Sequence, residues 1–531
     1  MRNIKRMLGP AIAAIMTLSA LALLGVLMTP HWQVEAETGH IRVTERKTAI
    51  SSRLGRTATE GTYATKQTRV KVDLGGGVSV NAIVRQPEGV RGPVPACLFI
   101  HGAGTGKAAE VYGDLAGALA SAGITTLVPD KRLDTYTTFH RDYKAMADDY
   151  GRSFDLLRSW PGVDPARVGV YAESEGTWIS SVMTASRKEV AYSIMTSPPV
   201  YPGRSQMAMA ATAYLDRVGA PDGIRAVIPK LLGLDLSVLG LEYADFPALS
   251  YLDGLTQPLL VNFGTEDVSM PIEQGARELI EKAGEAGNTN VTLRYYPTNH
   301  QMRTGSSLSK PGLPLEPHYT HDLEDWINGV AMGTDAHQWA TPMVAGSQPA
   351  QRFAAPEEMG PGLITSLRTL LLLMAGGPVL LLAALIGSVC LGLAGHGRGK
   401  SEGKIKPDRT SPGFGRSMQA RLWILGIGSL AVLALTCLYA VMVVGHALSL
   451  NGLSPTERTS WPALKVAAVI LALILASVLA DAISGIFPTH ARAMGGKGQV
   501  AGPGHWITFA LTAAGSALIL VVLAFWGLFT I

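Results

Sequence analysis

Four long apolar runs in the last third of the 531-residue chain constrain its fold more than any other feature. They cover residues 363–394, 422–448, 464–487 and 506–529. Each run is long enough to cross the roughly 30 Å hydrocarbon core of a bilayer as an α-helix. Because lipid offers no partners for backbone N–H and C=O groups, a run of this kind must be helical. We therefore expect residues 363–531 to form a four-helix transmembrane domain.

A fifth apolar run, residues 8–28, follows an N-terminal cluster of basic residues. About 21 apolar residues suffice to span a bilayer, so we interpret segment 1–30 as a transmembrane anchor. A cleaved signal sequence is the alternative, since residues 34–36 offer a small-residue cleavage site. Both interpretations send the following segment out of the cytoplasm.

The basic residues beside these runs indicate how the chain crosses the membrane. The loop at 396–421 is rich in Lys and Arg, and the loop between the last two runs contains Arg492 and Lys497 but no acidic residue. Because cytoplasmic loops carry an excess of Lys and Arg, both loops and the N-terminal cluster are predicted to be cytoplasmic. The segment between the N-terminal run and the later runs then lies outside. The small net charge of +4 collects in these basic segments beside the apolar runs, so we interpret it as a topology signal and expect no nucleic-acid partner.

Strand and helix patterns alternate between residues 65 and 330. Residues 69–85 alternate around three glycines and predict a β-hairpin. Residues 96–100 and 124–128 are short unbroken apolar runs, typical of parallel strands buried on both faces, with a helical pattern at 111–122 between them. This succession of β-α-β units predicts an α/β fold, with a mostly parallel sheet and helices on both faces. Functional sites in such sheets form at the carboxyl ends of the strands.

One strand-to-helix turn carries a serine. Residues 168–176 read V-G-V-Y-A-E-S-E-G, and a helix-compatible stretch follows. Small residues two before and two after a serine let such a turn close sharply and lift the hydroxyl out of the sheet. Here Gly176 takes the second place, but Ala172 stands where a glycine is usual. The alternative is that Ser174 is an ordinary capping residue at the start of the helix.

Three further polar segments follow predicted strands and are therefore expected at the same edge of the sheet. They are H-G-A-G at 101–104, G-T-E-D at 264–267 and P-T-N-H at 297–300. The glycines of the first segment allow its backbone to approach a ligand closely.

As an ordered set, these segments resemble a known superfamily. F-I-H-G-A-G, L-V-P-D-K-R and G-V-D-P-A-R-V-G-V-Y-A-E-S-E-G-T-W-I-S are similar to the α/β-hydrolases. The nearest resemblance is to the dienelactone-hydrolase, serine-aminopeptidase and monoacylglycerol-lipase-like serine hydrolases. It covers residues 65–330 and implies an α/β-hydrolase fold.

The resemblance also implies roles for individual residues. Members of this superfamily carry nucleophile, acid and histidine in that chain order. By this correspondence Ser174 is the nucleophile, His300 is the general base and then acid, and Asp267 orients the imidazole. Glu266 is the fallback for the acid.

Two backbone N–H groups would form the oxyanion hole, those of Ala103 and Glu175. The side chains of Glu173 and Glu175 are expected either to disfavour anionic substrates or to bind a cationic one. The alternative is that both face solvent or meet a loop arginine.

The remaining segments complete the predicted domain organisation. Residues 31–64 are interpreted as a linker and residues 331–362 as a tether before the membrane domain. An insertion at 201–253, rich in Met, Leu and Ala, stands where superfamily members carry a helical lid. An apolar lid would favour an acyl or lipid-like substrate.

Neither a metal nor an organic cofactor is predicted. His318 and His321 have H-x-x-H spacing, but no Cys or third His lies near them in the sequence. The three cysteines leave no pair outside the apolar runs, so no disulfide framework is expected. Asp481, inside the third C-terminal run, is costly in lipid and is a candidate either for function or for a structural contact between helices.

Together these features predict a membrane-anchored, extracytoplasmic serine hydrolase that cleaves an ester or related acyl bond through an acyl-enzyme intermediate. Its expected partners are a small-molecule or lipid-like acyl substrate and membrane lipids. An acyltransferase or a peptidase would use the same triad. A membrane scaffold or transport component with an inactive hydrolase domain is the alternative from a different class.

Overall fold

The computed structural model describes residues 2–104, 106–399, 413–486 and 500–530, and these divide into two compact units. The sheet unit comprises Val34–Ala213 and Leu239–Glu357. The helical unit comprises Met1–Gln33, Tyr214–Val238 and Glu358–Ile531. The chain therefore leaves the sheet unit and returns to it inside the segment predicted as a lid.

Nine strands form the sheet in the described chain: β1 (Thr65–Gly75), β2 (Val78–Pro87), β3 (Val94–Ile100), β4 (Thr125–Pro129), β5 (Val163–Glu173), β6 (Ser193–Thr196), β7 (Leu259–Gly264), β8 (Val291–Tyr296) and β9 (Val344–Gly346). They lie in the order β1-β2-β4-β3-β5-β6-β7-β8-β9. β2 pairs antiparallel with β1 and β4, and every pair from β4 to β9 is parallel. The predicted hairpin and mostly parallel sheet are confirmed.

The described α-helices are α1 (Arg2–Leu27), α2 (Gly113–Ser121), α3 (Tyr143–Arg158), α4 (Gly176–Ser186), α5 (Gly203–Arg217), α6 (Asp222–Arg225), α7 (Ile228–Leu232), α8 (Gln274–Glu285), α9 (Tyr319–Ala331), α10 (Leu367–Gly399), α11 (Arg416–Ser449), α12 (Pro455–Ile486) and α13 (Pro503–Phe525). Local signals start some of them. At α3, the side chain of Asp142 accepts hydrogen bonds from the N–H groups of Lys144 and Ala145 and so caps the first turn.

The core of the sheet unit lies on both faces of the sheet. All seven residues of β3 are buried, and their side chains alternate between two apolar clusters. Leu98 packs in a cluster with Phe154 of α3, whereas its neighbour Phe99 packs in a cluster with Trp326 of α9. This two-sided burial requires the unbroken apolar pattern seen in the sequence, and it confirms helices on both faces.

Two segments predicted as connections are part of the sheet unit. In the predicted linker 31–64, Ile50 is buried, and Ala36 and Ser52 form single β-bridges with Phe353 and Trp339. The predicted tether 331–362 contributes β9, which extends the sheet beside β8. Neither segment has a periodic apolar pattern of its own. Each is held in place by strands and bridges distant in sequence, which leave no local signal.

The predicted lid at 201–253 is not one body. Its first part, including most of α5, and its last part belong to the sheet unit, whereas Tyr214–Val238, with α6 and α7, belongs to the helical unit. The helices α6 and α7 have four and five residues and are too short to bury an apolar face alone. Their apolar residues Ile224, Ile228 and Pro229 are buried within the helical unit, to which these short helices belong.

The helical unit contains four helices that are long and apolar enough to cross a membrane. Their apolar parts are Leu367–Leu393, Arg416–Ser449, Pro455–Ile483 and Pro503–Phe525, which confirms the four predicted runs within the described residues. The N-terminal helix α1 packs against α12 and α13. The predicted orientation depends partly on basic residues that lie outside the described residues: Lys400, Lys404, Lys406, Arg409, Arg492 and Lys497.

Polar side chains connect helices within this unit. The Nζ atom of Lys230, a side chain from the inserted segment, donates to the carbonyl oxygens of Gly25 (3.1 Å) and Phe525 (3.0 Å), near the ends of α1 and α13. These helix-terminal carbonyls have no partner within their own helices. Farther along, Asp481 of α12 accepts a hydrogen bond from Arg421 of α11 at 2.6 Å. This ion pair agrees with the structural interpretation of Asp481.

Candidate active site

Ser174 stands in the sharp turn between β5 and α4. Its φ angle is +54°, in the left-handed region that residues other than glycine rarely adopt. The turn is held by hydrogen bonds from the Ser174 N–H to the Thr196 carbonyl (2.8 Å) and from the Thr177 N–H to the Ser174 carbonyl (2.9 Å). Strained residues of this kind persist only where their surroundings enforce them, and they concentrate at functional sites. A capping serine needs no such conformation, and the residue at the N-cap of α4 is Glu175, so Ser174 is not an ordinary helix cap.

The two small residues around Ser174 have different reasons to be small. A side chain at Gly176 would place its Cβ 2.7 Å from the carbonyl oxygens of both Ile100 and His101, so only glycine fits there. Ala172 is buried inside β5, where it pairs with Ile100 and Met195. Because this position is extended strand, alanine is accommodated in place of the usual glycine.

His300 and Asp267 meet at the same edge of the sheet. Asp267 follows β7 and His300 follows β8, and His300 Nδ1 lies 2.6 Å from Asp267 Oδ2. The other oxygen of Asp267 accepts hydrogen bonds from the N–H and the hydroxyl of Ser269, at 2.8 and 2.6 Å. Glu266 is exposed and accepts instead from Ser307. Asp267, and not Glu266, is therefore the carboxylate that contacts His300.

The pairing changes the pKa of both partners. Burial disfavours a charged imidazole and so lowers the pKa of His300, but the charge and hydrogen bond of Asp267 outweigh burial and raise it above its ordinary value. Burial likewise raises the pKa of Asp267, but His300 and the hydrogen bonds from Ser269 bring it below its usual range. Asp267 is thus ionised at neutral pH and accepts a hydrogen bond from Nδ1 of His300, so Nε2 carries no proton in the neutral ring.

The glutamate before the nucleophile is buried. Glu173 is 8 % exposed, so it does not face solvent as one alternative supposed. Burial raises the pKa of Glu173 to about 7, although the positive charges of His300 and Arg303 oppose this shift. Glu173 is therefore a carboxyl group that titrates near neutrality, and its charge acts on His300.

The glutamate after the nucleophile is enclosed by donors. The Glu175 carboxylate contacts Arg141 (2.5 Å) and Lys131 (3.5 Å) and accepts hydrogen bonds from the hydroxyls of Tyr136 (2.8 Å) and Tyr143 (2.9 Å). It meets a loop arginine, as one interpretation of the sequence proposed, and it is not free to bind a cationic substrate. Sequence analysis missed Lys131, although the L-V-P-D-K-R segment after β4 contains it.

The loop after β3 lies directly against the serine turn. A Cβ atom at Gly102 would lie 3.0 Å from the Glu173 carbonyl oxygen and 3.2 Å from the Ser174 Cβ, so this glycine allows the close approach that the sequence suggested. The Ala103 N–H, predicted to be one oxyanion donor, belongs to the next residue of this loop. Nearby, His101 Nε2 lies 2.6 Å from the Pro129 carbonyl oxygen. Burial lowers the pKa of His101 to about 4, so this histidine is neutral and structural.

The histidines of the H-x-x-H segment have separate surroundings. His321 Nδ1 lies 2.9 Å from Glu324 of the same helix, and Glu60 is the third member of a group whose possible ligand atoms lie within 4.8 Å of one another. His318 is not part of this group. The local contacts of this group, including the hydrogen bond from Thr320 to Glu60, are those of a helix start held against an N-terminal segment.

Comparison with known proteins yields similarity to solved structures alone. No family model matches the chain, and no curated protein matches it. An esterase of Pyrococcus furiosus is 18% identical, with 50% of this chain and 91% of that chain covered and a TM-score of 0.34. A dienelactone hydrolase from Anabaena variabilis is 16% identical, with 51% and 99% covered and a TM-score of 0.33. Dipeptidyl peptidase 4 of Porphyromonas gingivalis is 14% identical, with 50% and 35% covered and a TM-score of 0.36.

The fold assignment follows from the sheet itself. The strand order, the left-handed serine turn after β5 and the carboxylate and histidine after β7 and β8 define the α/β-hydrolase fold. The sheet unit has this fold. The chain joins it to a helical unit with four helices that can cross a membrane, so the whole is a multi-pass membrane protein with an α/β-hydrolase domain.

Proposed function

We propose that this protein is a membrane-anchored serine hydrolase that cleaves an ester or related acyl bond on the extracytoplasmic side. The observation that carries the proposal is the short contact between His300 and a buried, ionised Asp267, at the sheet edge that also bears the strained Ser174 turn. A nucleophile, a base and a group that orients the base are the three parts that acyl transfer by serine requires.

The proposed reaction has two halves. His300 Nε2 takes the proton of Ser174 as Oγ attacks the carbonyl carbon, and the N–H groups of Ala103 and Glu175 stabilise the negative oxygen. The bond to the leaving group then breaks, and the leaving group takes the proton from His300. Water then attacks the acyl carbon as His300 removes its proton. The bond from that carbon to Ser174 Oγ breaks, Ser174 takes the proton back from His300, and the carboxylic acid is released. Asp267 stays ionised throughout and stabilises the imidazolium.

The sidedness of the enzyme is proposed from charge. Basic residues cluster in the N-terminal segment and in the loops at 396–421 and 488–505. Segments rich in Lys and Arg stay cytoplasmic, so the domain between the N-terminal run and the run at 363–394 lies on the other side.

Labelling with a fluorophosphonate tests the nucleophile. Membranes that contain the wild type should be labelled, and Ser174→Ala and His300→Ala should abolish the label. Ser186→Ala, on the exposed end of α4, is the matched control and should label like the wild type. A wild type that stays unlabelled while a reference hydrolase reacts would instead support the scaffold alternative.

Two further measurements refine the proposal. A probe that cannot cross membranes should label intact cells as strongly as lysates, and label in lysates alone would contradict the extracytoplasmic location.

Product analysis with esters, peptide amides and added alcohols separates ester hydrolysis from peptidase or acyltransferase activity on the same residues.

A further inference from the structure

A buried lysine connects the two walls of the proposed oxyanion site. Lys131 follows β4, and its side chain is 1% exposed. Its Nζ atom donates a hydrogen bond to the Gly102 carbonyl oxygen and lies 3.5 Å from the Glu175 carboxylate. The ammonium also lies 4.2 Å from the centre of the Tyr136 ring. A lysine is costly to bury, and burial lowers the pKa of Lys131 to about 8, which leaves it mostly protonated at neutral pH.

The bond to Gly102 constrains the donor on the next residue. The Gly102–Ala103 peptide bond is trans, so its C=O and its N–H point in opposite directions. With the carbonyl oxygen held by Lys131, the Ala103 N–H points away from that lysine. The positive charge of the Lys131 ammonium, bound to this carbonyl oxygen, also polarises the Gly102–Ala103 peptide group. Polarisation makes the Ala103 N–H a stronger hydrogen-bond donor.

Charge balance at Glu175 does not require Lys131. Arg141 already contacts the Glu175 carboxylate at 2.5 Å, and two tyrosine hydroxyls donate to it. Lys131, unlike Arg141, also donates to the Gly102 carbonyl oxygen. Other bonds fix the rest of the loop: His101 N–H donates to Tyr150, and Gly104 N–H donates to Tyr136. The Gly102 carbonyl is therefore the part of the loop that depends on Lys131.

We propose that Lys131 is a positioning residue that holds the Gly102 carbonyl and thereby orients and polarises the Ala103 N–H as an oxyanion donor. This inference rests on the proposed function. Lys131 does not contact the substrate in this role, and its effect falls in the transition state, where negative charge develops on the substrate oxygen.

Steady-state kinetics on full-length protein in detergent micelles test the inference. With 4-nitrophenyl butyrate as the probe substrate, Lys131→Met should lower kcat about tenfold to a hundredfold and leave KM within about twofold, since loss of a whole oxyanion donor costs about a hundredfold or more. Lys131→Arg should restore part of kcat. Lys107→Met, an exposed lysine near the same loop, is the control and should behave like the wild type.

Inhibitor binding separates positioning from general damage. A trifluoromethyl ketone forms an oxyanion on Ser174, so Lys131→Met should weaken it by a factor similar to the loss in kcat. The binding of butyrate, which forms no such adduct, should change little. The acid limb of the pH–rate profile should stay in place, because Lys131 does not contact His300 or Asp267.

Each contrary result has a distinct meaning. Unchanged kcat or unchanged trifluoromethyl ketone affinity in a folded Lys131→Met variant overturns the inference alone. If Lys131→Met does not fold, Lys131→Gln takes its place: its neutral and shorter side chain removes the charge but keeps a donor. It should show a smaller loss of kcat and of trifluoromethyl ketone affinity with KM unchanged, and no loss in a folded Lys131→Gln variant overturns the inference. A wild type that is neither labelled at Ser174 nor active overturns the proposed function, and the inference with it.

Discussion

At the scale of single residues, the His300–Asp267 contact makes the sharpest prediction. Asp267→Asn keeps the shape of the side chain but removes the charge that raises the pKa of His300. We expect kcat/KM for an ester to fall about 10³- to 10⁴-fold, as when the imidazole is left in the wrong tautomer. The measurement is steady-state hydrolysis at fixed pH. Glu266→Gln is the control, because that exposed side chain does not contact His300. Equal losses in both variants would contradict the assignment of the acid.

Glu173 affects the same histidine through its charge. The raised pKa of His300 means that the wild type should lose activity as pH falls through a value above 6.5, since a protonated imidazole cannot act as a base. The negative charge of Glu173 contributes to that increase, so Glu173→Gln should move the acid limb to lower pH. The two groups titrate together, and the limb reports their combined behaviour. An acid limb that does not move, or that moves upward, would show that Glu173 does not act on His300.

At the scale of elements, the serine turn depends on the absence of a side chain at residue 176. Gly176→Ala would push a methyl group to 2.7 Å from two carbonyl oxygens of β3 and the following loop. We expect the variant to lose about 1–3 kcal/mol of stability and its fluorophosphonate label. Thermal unfolding in detergent measures the first effect. Gly117→Ala in α2 is the matched control, because a Cβ there meets nothing within 4 Å and alanine favours helix. A stable, labelled Gly176→Ala variant would contradict this account of the turn.

The contact between Lys230 and two helix ends makes a prediction for the helical unit. Lys230→Met keeps the apolar stem but removes the Lys230 hydrogen bonds to both carbonyls. The Gly25 carbonyl still accepts from the Thr29 hydroxyl at 3.0 Å, so the loss falls mainly on the Phe525 carbonyl. A buried polar group without a partner costs about 1–3 kcal/mol, so the melting temperature should fall measurably. Arg368→Gln, exposed near the start of α10, should leave it unchanged. If both variants melt alike, the Lys230 contacts contribute nothing to stability.

At the scale of the whole molecule, α1 belongs to the helical unit. It packs against α12 and α13, and the carbonyl of Gly25 near its C-terminal end accepts the Lys230 hydrogen bond. We therefore expect the anchor interpretation to hold and α1 to remain attached. Intact-mass measurement of the purified protein tests this, and a mass that lacks the first 36 residues would show instead that the segment is a cleaved signal sequence.

The sequence alone predicted those parts that depend on local patterns. Long apolar runs have one stable form in lipid, and unbroken apolar strands between helices have one usual arrangement, so the membrane helices and the parallel sheet were predictable. The order of motifs also placed Ser174, Asp267 and His300 at one sheet edge, because parallel strands align their carboxyl ends. Of these three residues, the structure shows a direct contact between Asp267 and His300.

Tertiary structure decided what depends on partners distant in sequence. β9 exists because β8 offers it a free edge, and the lid segment divides because Tyr214–Val238 finds its contacts among the membrane helices. The surroundings of Glu175 and the role inferred for Lys131 likewise depend on side chains from separate loops. Their charges are costly to bury unless the fold brings partners within hydrogen-bonding distance, and no local pattern encodes that meeting.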